Sequence, residues 1–256
     1  MMIRGLYTAG SGMMCEMARV DIISNNVANV TTTGFKRDEA IFCSLPEMDI
    51  YRFGDKGDKS PIPTKLSVYK KPYLGILGTG ASFDEVAIDL IQGTIKNTSL
   101  PLDFALDGEG FFTVQTPDGV RLTRNGKFHV NSQGYLCTAE GYYVMGENGE
   151  INLPSESQIE VNRSGEVFVD GFMVDRLLLQ YPQEIIKEGD GLYSFNGALD
   201  EAVCDVVQGA LENSNVNPVR EMVDLIGAFR AYEASQRVIK AHDDTLDKAV
   251  NEIARI

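Results

Sequence analysis

The chain has 256 residues, of which 43% are hydrophobic and 23% charged, with 25 Gly and 10 Tyr but no Trp. Those proportions fit a globular chain of one large domain or two smaller ones, with a turn-rich β portion. The formal net charge of −14 repels phosphate backbones, so nucleic acid is excluded as a partner without a local basic patch. Lys70-Lys71 with Lys65 nearby is too small a patch for that role.

The N-terminus, MMIRGLYTAGSGMMCEMARV, is interrupted by Gly, Thr, Ser and Glu16. It therefore lacks the unbroken apolar region of a cleavable signal. No run approaches the ~20 apolar residues of a membrane-spanning helix. The chain is expected either to stay in the cytoplasm or to leave by a route that reads no cleaved signal. At helical spacing this segment aligns Ile3, Leu6, Gly10, Met13, Met17, Val20, Ser24 and Val27 on one stripe. The stripe suits a helix on a domain core or a helix in a multi-stranded contact. The methionines make it pliable.

The stretch that follows, NNVANVTTTGFKR at 25–37, concentrates short polar side chains at a helix end. Asn, Thr and Ser compete with helical backbone bonds, and Gly34 can take positive φ and reverse the chain onto an apolar seat for Phe35. Asn25, Asn26 and Asn29 carry paired donors and acceptors suited to backbone groups of a neighbouring chain.

Residues 37–82 hold Pro46, Pro61, Pro63 and Pro72 with little periodicity, which reads as an extended connector. From 83 to 206, short apolar runs alternate with turn signals. FFTVQ stops at Pro117-Asp118-Gly119, VRLT at Asn125-Gly126, YYVMG at Asn148-Gly149 and VFV at Asp170-Gly171. That rhythm predicts an antiparallel β domain.

A C-terminal segment, 207–256, turns helical at Pro218. Met222, Leu225, Phe229, Tyr232, Gln236, Ile239, Asp243, Leu246, Val250 and Ile253 keep strict three-four spacing. A helix running from Pro218 to the C-terminus would be roughly 58 Å long at ~1.5 Å per residue. Its apolar stripe is worth on the order of 10–20 kcal/mol as an upper estimate, more than one small core can accept. The N-terminal stripe is its natural first partner and other copies of the chain its second. The fold class is thus α+β, with N- and C-terminal helices pairing as a coiled-coil-like element around a β-rich centre. The segments are 1–36, 37–82, 83–206 and 207–256.

Chemistry is hard to find. His129 alternates away from Phe128 and Val130, His242 lies off the main helical stripe, and both read as solvated. Cys15, Cys43, Cys137 and Cys204 have no zinc-ligand spacing and read as small buried hydrophobes, with a disulfide left open. GILGTGASFDEV lacks a phosphate-loop pattern, and the acidic turns DGEGF and DKGDK lack calcium-loop alternation. No catalytic, cofactor-binding or metal site is expected.

Three stretches carry a resemblance. SNNVANVTTTGFKR resembles the N-terminal signature of the rod and hook family of bacterial flagellar axial proteins. Residues 92–146, from QGTIKNTSL to GYYVMG, resemble that family's β-domain block, and LENSNVNPVREMVDLIGAFRAYEASQRVIKAHDDTLDKA its C-terminal helix block. Length and the lack of a large insert favour the rod members over the hook protein, and VIKAHDDTLDKA favours the proximal rod type over the distal.

The resemblance implies a non-enzymatic subunit of a helical tube crossing the periplasm, exported by the flagellar type III apparatus without signal cleavage. Its partners would be other copies of itself and other rod and hook proteins. By position, the family's signatures fall on Asn25, Asn26, Asn29, Gly34 and Phe35, and on Asn215, Asn217 and Met222. With the helical stripes these make up the expected subunit interface, namely Leu6, Met13, Met17, Val20, Leu225, Phe229, Tyr232, Ile239, Leu246, Val250 and Ile253.

Overall fold

The structure, a computed structural model, describes residues 2–51, 73–154 and 159–253. Both terminal helices are present, α1 over Met2–Ala28 and α2 over Pro218–Ile253. Asn217 caps α2, its side-chain oxygen accepting from the Val219 and Arg220 amides at 3.1 and 3.2 Å. Pro218 then fills the first helical position, where a missing N–H costs nothing. Among the described residues no helix is long and apolar enough to cross a membrane.

The chain forms two compact units that cut across the four segments drawn from composition. One comprises α1 up to Ser24, the strands between Glu39 and Ala87, and α2 from Met222. The segment expected as a connector supplies its strands. Asp38–Ser44 pairs with Ala81–Ile88, and Met48–Tyr51 pairs antiparallel with Tyr73–Leu77. These strands are short, and an irregular stretch at 45–47 that contains Pro46 separates two of them, so no period 2 accumulates. Pro61, Pro63, Pro72 and the Lys65 to Lys71 patch lie outside the described residues.

Within this unit α1 and α2 approach closely where α1 has no side chain. A Cβ on Gly5 would come within 2.6 Å of His242 Nε2, and one on Gly12 within 3.9 Å of Ser235 Oγ. His242 is accordingly half-buried rather than solvated.

The other unit comprises Asn25–Asp38 and Ile88–Glu221. Its centre is an eight-stranded sheet built from the runs read in the sequence, with Phe111–Thr116 at the middle. That strand pairs on one side with Gly119–Thr123 and on the other with Tyr143–Gly146. Leu179–Gly189 pairs with Leu192–Glu201 and also reaches back to Phe111–Thr116, so four strands close a circuit.

Alternation along the middle strand divides the core. Phe112 and Val114 enter a large cluster with Phe104, Leu106, Phe128 and Val144, while Phe111 faces a smaller one with Leu122 and Tyr193. Two further strands at the end of this unit, Val203–Gln208 and Ala210–Glu212, pair with Phe104–Glu109 and Ile95–Asn97. Residues 207–221 thus belong to the β unit rather than to the helical segment. Of the cysteines, all free, Cys15 and Cys137 are buried and Cys204 half-buried, but Cys43 is exposed, against the expectation for all four.

Phe112 is fully buried, with its ring edge-on to Phe128 at 5.2 Å. Phe112→Ala should cost about 3–5 kcal/mol, read as a lower urea midpoint at unchanged slope. A loss below about 1 kcal/mol, less than even an Ile→Val truncation usually costs, would mean that this strand is not the centre of the core.

Candidate functional site

The polar run after α1 folds onto the β unit as a strap from Asn25 to Asp38. The end of α1 is satisfied locally. Asn29 donates its backbone and side-chain N–H groups to the Asn25 carbonyl at 3.1 and 3.0 Å, and Thr32 donates to Asn29 Oδ1. Thr33 then donates to Asn125 Oδ1 at 2.7 Å.

Gly34 reverses the chain at φ 68°, and its N–H donates to the Glu212 carbonyl at 2.8 Å. A Cβ there would lie 2.5 Å from the Arg124 carbonyl carbon, so both conformation and space require glycine. Phe35 is buried, with the Lys187 ammonium 3.7 Å from its ring centre.

The two residues that follow are cations with buried partners. Lys36, only 2% exposed, donates to the Leu90 and Ile91 carbonyls and to Glu212 Oε1 at 2.8 Å. Glu212 is shared, since Arg124 Nε donates to its other oxygen at 2.5 Å. The Arg124 guanidinium also donates to the carbonyls of Leu106, Gly108 and Gly110.

Arg37 Nε meets Glu221 Oε1 at 2.6 Å, and its backbone N–H donates to Asn215 Oδ1. Asn26, fully buried, forms a two-way pair with Asp38: its Nδ2 donates to the Asp38 carbonyl at 2.8 Å and its Oδ1 accepts from the Asp38 N–H at 2.9 Å. Asn26 Nδ2 also lies 3.3 Å from Glu221 Oε2. Lys187 closes the group on Asp38 Oδ2 at 2.9 Å.

Burial lowers the Lys36 ammonium, with the Glu212 hydrogen bond opposing it. Burial alone would raise Glu212, but the charges of Arg124 and Lys36 outweigh it and hold the carboxyl below its ordinary range. All three Lys36 donors and four of the five Arg124 donors are spent on a carbonyl or on Glu212. The arrangement fastens one strap to three strand ends.

The expected interface residues therefore divide. Asn26, Gly34, Phe35 and Asn215 are used inside the chain, Asn29 stabilises the end of α1, and Asn217 caps α2. Asn25 and Met17 are exposed, while Leu6, Met13 and Val20 are half-buried. On α2, Met222, Phe229 and Val250 are exposed, and Leu225, Tyr232, Ile239 and Leu246 are half-buried. The Ile253 side chain lies outside the described residues.

The two fully buried residues of α2 among those described, Glu221 and Ala228, lie one position round from the apolar stripe, and half-buried Ser235 and His242 continue their line. Small residues let the backbones approach, which a count of large apolar side chains misses. Lys36, Arg37, Arg124, Lys187 and Glu212 were not singled out from the sequence, although Lys36 and Arg37 end the quoted polar run. Among the described residues no group of three or more His, Cys, Asp or Glu is placed to hold a metal ion.

Three family descriptions match the chain: a flagella basal body rod protein over residues 6–36, the D1 domain of the flagellar hook protein FlgE/F/G over 105–169, and the C-terminal region of the flagellar basal body rod FlgEFG proteins over 207–252. The Lys36–Arg124–Glu212 group takes one residue from each matched stretch.

Among curated relatives, the flagellar hook-basal body complex protein FlhO of Bacillus subtilis is 29% identical over the whole of both chains. The flagellar basal-body rod protein FlgG of Buchnera aphidicola is 31% identical over 96% of this chain and 98% of its own. FlgF of Caulobacter vibrioides is 32% identical over 100% and 98%.

Glu212→Gln leaves two buried cations short of a charge and should destabilise the β unit by about 3–5 kcal/mol at neutral pH. A carboxyl held low contributes stability that is complete above its unfolded value of ~4.3 and is lost as pH falls through the folded one. The gap between wild type and variant should therefore narrow with acidification below that value; a gap constant with pH would remove the ionised carboxylate from the account. Asn26→Asp loses the donor to Asp38 and sets a second carboxylate against Glu221, so it should cost more than about 2 kcal/mol, whereas Asn29→Asp should cost about 1 kcal/mol. Equal costs in urea unfolding would contradict the division of roles.

Proposed function

The chain belongs to the flagellar basal-body rod protein family and is a structural subunit of that rod; from that premise we propose that α1 and α2 are its assembly element. One observation carries this reading. Val219, Met222, Val223, Ile226 and Phe229 line one side of the first three turns of α2 and are each 49–70% exposed. Large apolar side chains grouped in this way mark a contact surface rather than ordinary scatter. On α1, Tyr7, Met14 and Met17 are likewise 57–72% exposed.

The helices pair antiparallel in a coiled-coil-like manner. The fourteen residues from Asn26 back to Gly12 match the fourteen from Glu221 to Ser235, and a further seven on each helix reach Gly5 and His242. Steps of seven are the coiled-coil repeat. A seam that includes Gly5, Gly12, Ala228 and Ser235 lets the backbones approach and leaves Val219, Met222, Val223, Ile226 and Phe229 outward, towards other copies of the chain and other rod and hook proteins. In this reading the helices within the sequence segments 1–36 and 207–256 do the assembling, although 207–221 pack with the β unit.

The subunit occupies the proximal rod, supported by VIKAHDDTLDKA in α2, and reaches the periplasm through the flagellar export apparatus without signal cleavage. Deleting the gene and imaging purified basal bodies tests the position, because a proximal subunit leaves no rod above its own level. A complete proximal segment in that strain would assign the chain to the distal rod.

Phe229→Asp places a charge on the exposed stripe, where burial against a partner is costly. The expected result is loss of swimming and of rod assembly, with the purified subunit keeping the wild-type thermal transition of its β unit and secretion intact. A swimming Phe229→Asp strain would remove this stripe from assembly.

A further inference from the structure

The chain contains three Asn-Gly steps, at 125–126, 148–149 and 196–197. This dipeptide carries its own chemistry. The glycine N–H nitrogen attacks the Asn side-chain carbonyl carbon, the new C–N bond closes a five-membered succinimide, and ammonia leaves with the proton. Water then opens the ring at either carbonyl, giving aspartate or isoaspartate. Glycine favours the attack because it has no Cβ to hinder the approach. The folded chain decides which of the three steps can react.

Two are held. Asn125 Oδ1 accepts from the Thr33 hydroxyl at 2.7 Å and from the Lys127 N–H at 3.2 Å. Gly126 is buried against the Phe104 carbonyl, and its own carbonyl accepts from the Phe104 N–H at 3.0 Å. The Asn148 side chain donates to the Asp175 carboxylate at 2.9 Å, and the same oxygen accepts from the Asn148 backbone N–H at 3.3 Å. Each of those bonds opposes the rotation that brings the amide carbon over the next nitrogen.

The third step is free. Asn196, Gly197 and Ala198 are exposed in the strand Leu192–Glu201. The ladder to Leu179–Gly189 is irregular at this point, with Asn196 opposite Glu184 and Leu199 opposite Pro182, which leaves Gly197 without a register partner. Gly197 sits at φ 92°. The Asn196 side chain has no hydrogen-bond partner among the described residues.

We propose that Asn196-Gly197 is a self-modification site, at which the folded subunit converts Asn196 to aspartate and isoaspartate with age while Asn125 and Asn148 are spared. The product adds a negative charge beside Glu184 on an exposed two-stranded arm, and the isoaspartate form lengthens the backbone of one strand there by one carbon. The requirement is water and time; no other reactant enters.

The test uses the full-length purified protein at pH 8 and 37 °C, in native buffer and in urea, digested at intervals for peptide masses and assayed for isoaspartate. In native buffer the one-dalton gain and the isoaspartate should appear at Asn196 about tenfold or more faster than at either other site, the scale of one charge-assisted hydrogen bond. In urea the three rates should converge, and Asn196→Gln should lose the native signal. Native conversion at equal rates, or at Asn125 or Asn148 ahead of Asn196, would overturn the proposal.

Discussion

One carboxylate shared by two cations holds the β unit to the segment that leads into it. Glu212 is 2% exposed and receives Lys36 on one oxygen and Arg124 on the other. Each ion would cost several kcal/mol to bury alone, and a buried pair is weak evidence for net stability. Its effect here is on placement. Lys36 can be neutralised only where its chain also reaches the Leu90 and Ile91 carbonyls, and Arg124 only where it spans those of Leu106, Gly108 and Gly110. The group therefore admits one register of the strap, and a shift by one residue would strand a charge in the interior.

That register carries on into the helices. Asn26 is the last buried side chain of α1 and Glu221 lies in the first turn of α2, and Asp38 and Arg37 tie both to the strap. The polar run makes these ties as buried hydrogen bonds within the chain, whose partners are costly to separate.

Much of the architecture was legible because it repeats. The runs FFTVQ, VRLT, YYVMG and VFV became strands, and the three-four spacing after Pro218 became α2. Gly34 was legible from its neighbours, since a polar helix end followed by Gly-Phe reads as a reversal. The ion group was not. Lys36 and Glu212 are 176 residues apart, and nothing in the text around either marks it as buried among 37 acidic residues. The seam on α2 was displaced for another reason. Hydrophobic spacing picks out Met222 and Phe229, but close approach is decided by what is missing, at Gly5, Gly12, Ala228 and Ser235. Met222 and Phe229 are left facing out, while Leu225 and Tyr232 are half-buried.

The strap is expected to open only when the β unit unfolds, because releasing it exposes three buried charges together. Native-state hydrogen exchange on the full-length subunit measures this at the Gly34, Arg37 and Asp38 amides, whose acceptors are the Glu212 carbonyl, Asn215 Oδ1 and Asn26 Oδ1. Their opening free energies should equal those of the Val114 and Leu122 amides in the central sheet, with the same dependence on denaturant. Fast exchange of the three strap amides with a small denaturant slope, while the sheet stays protected, would show the strap opening on its own and would contradict this expectation.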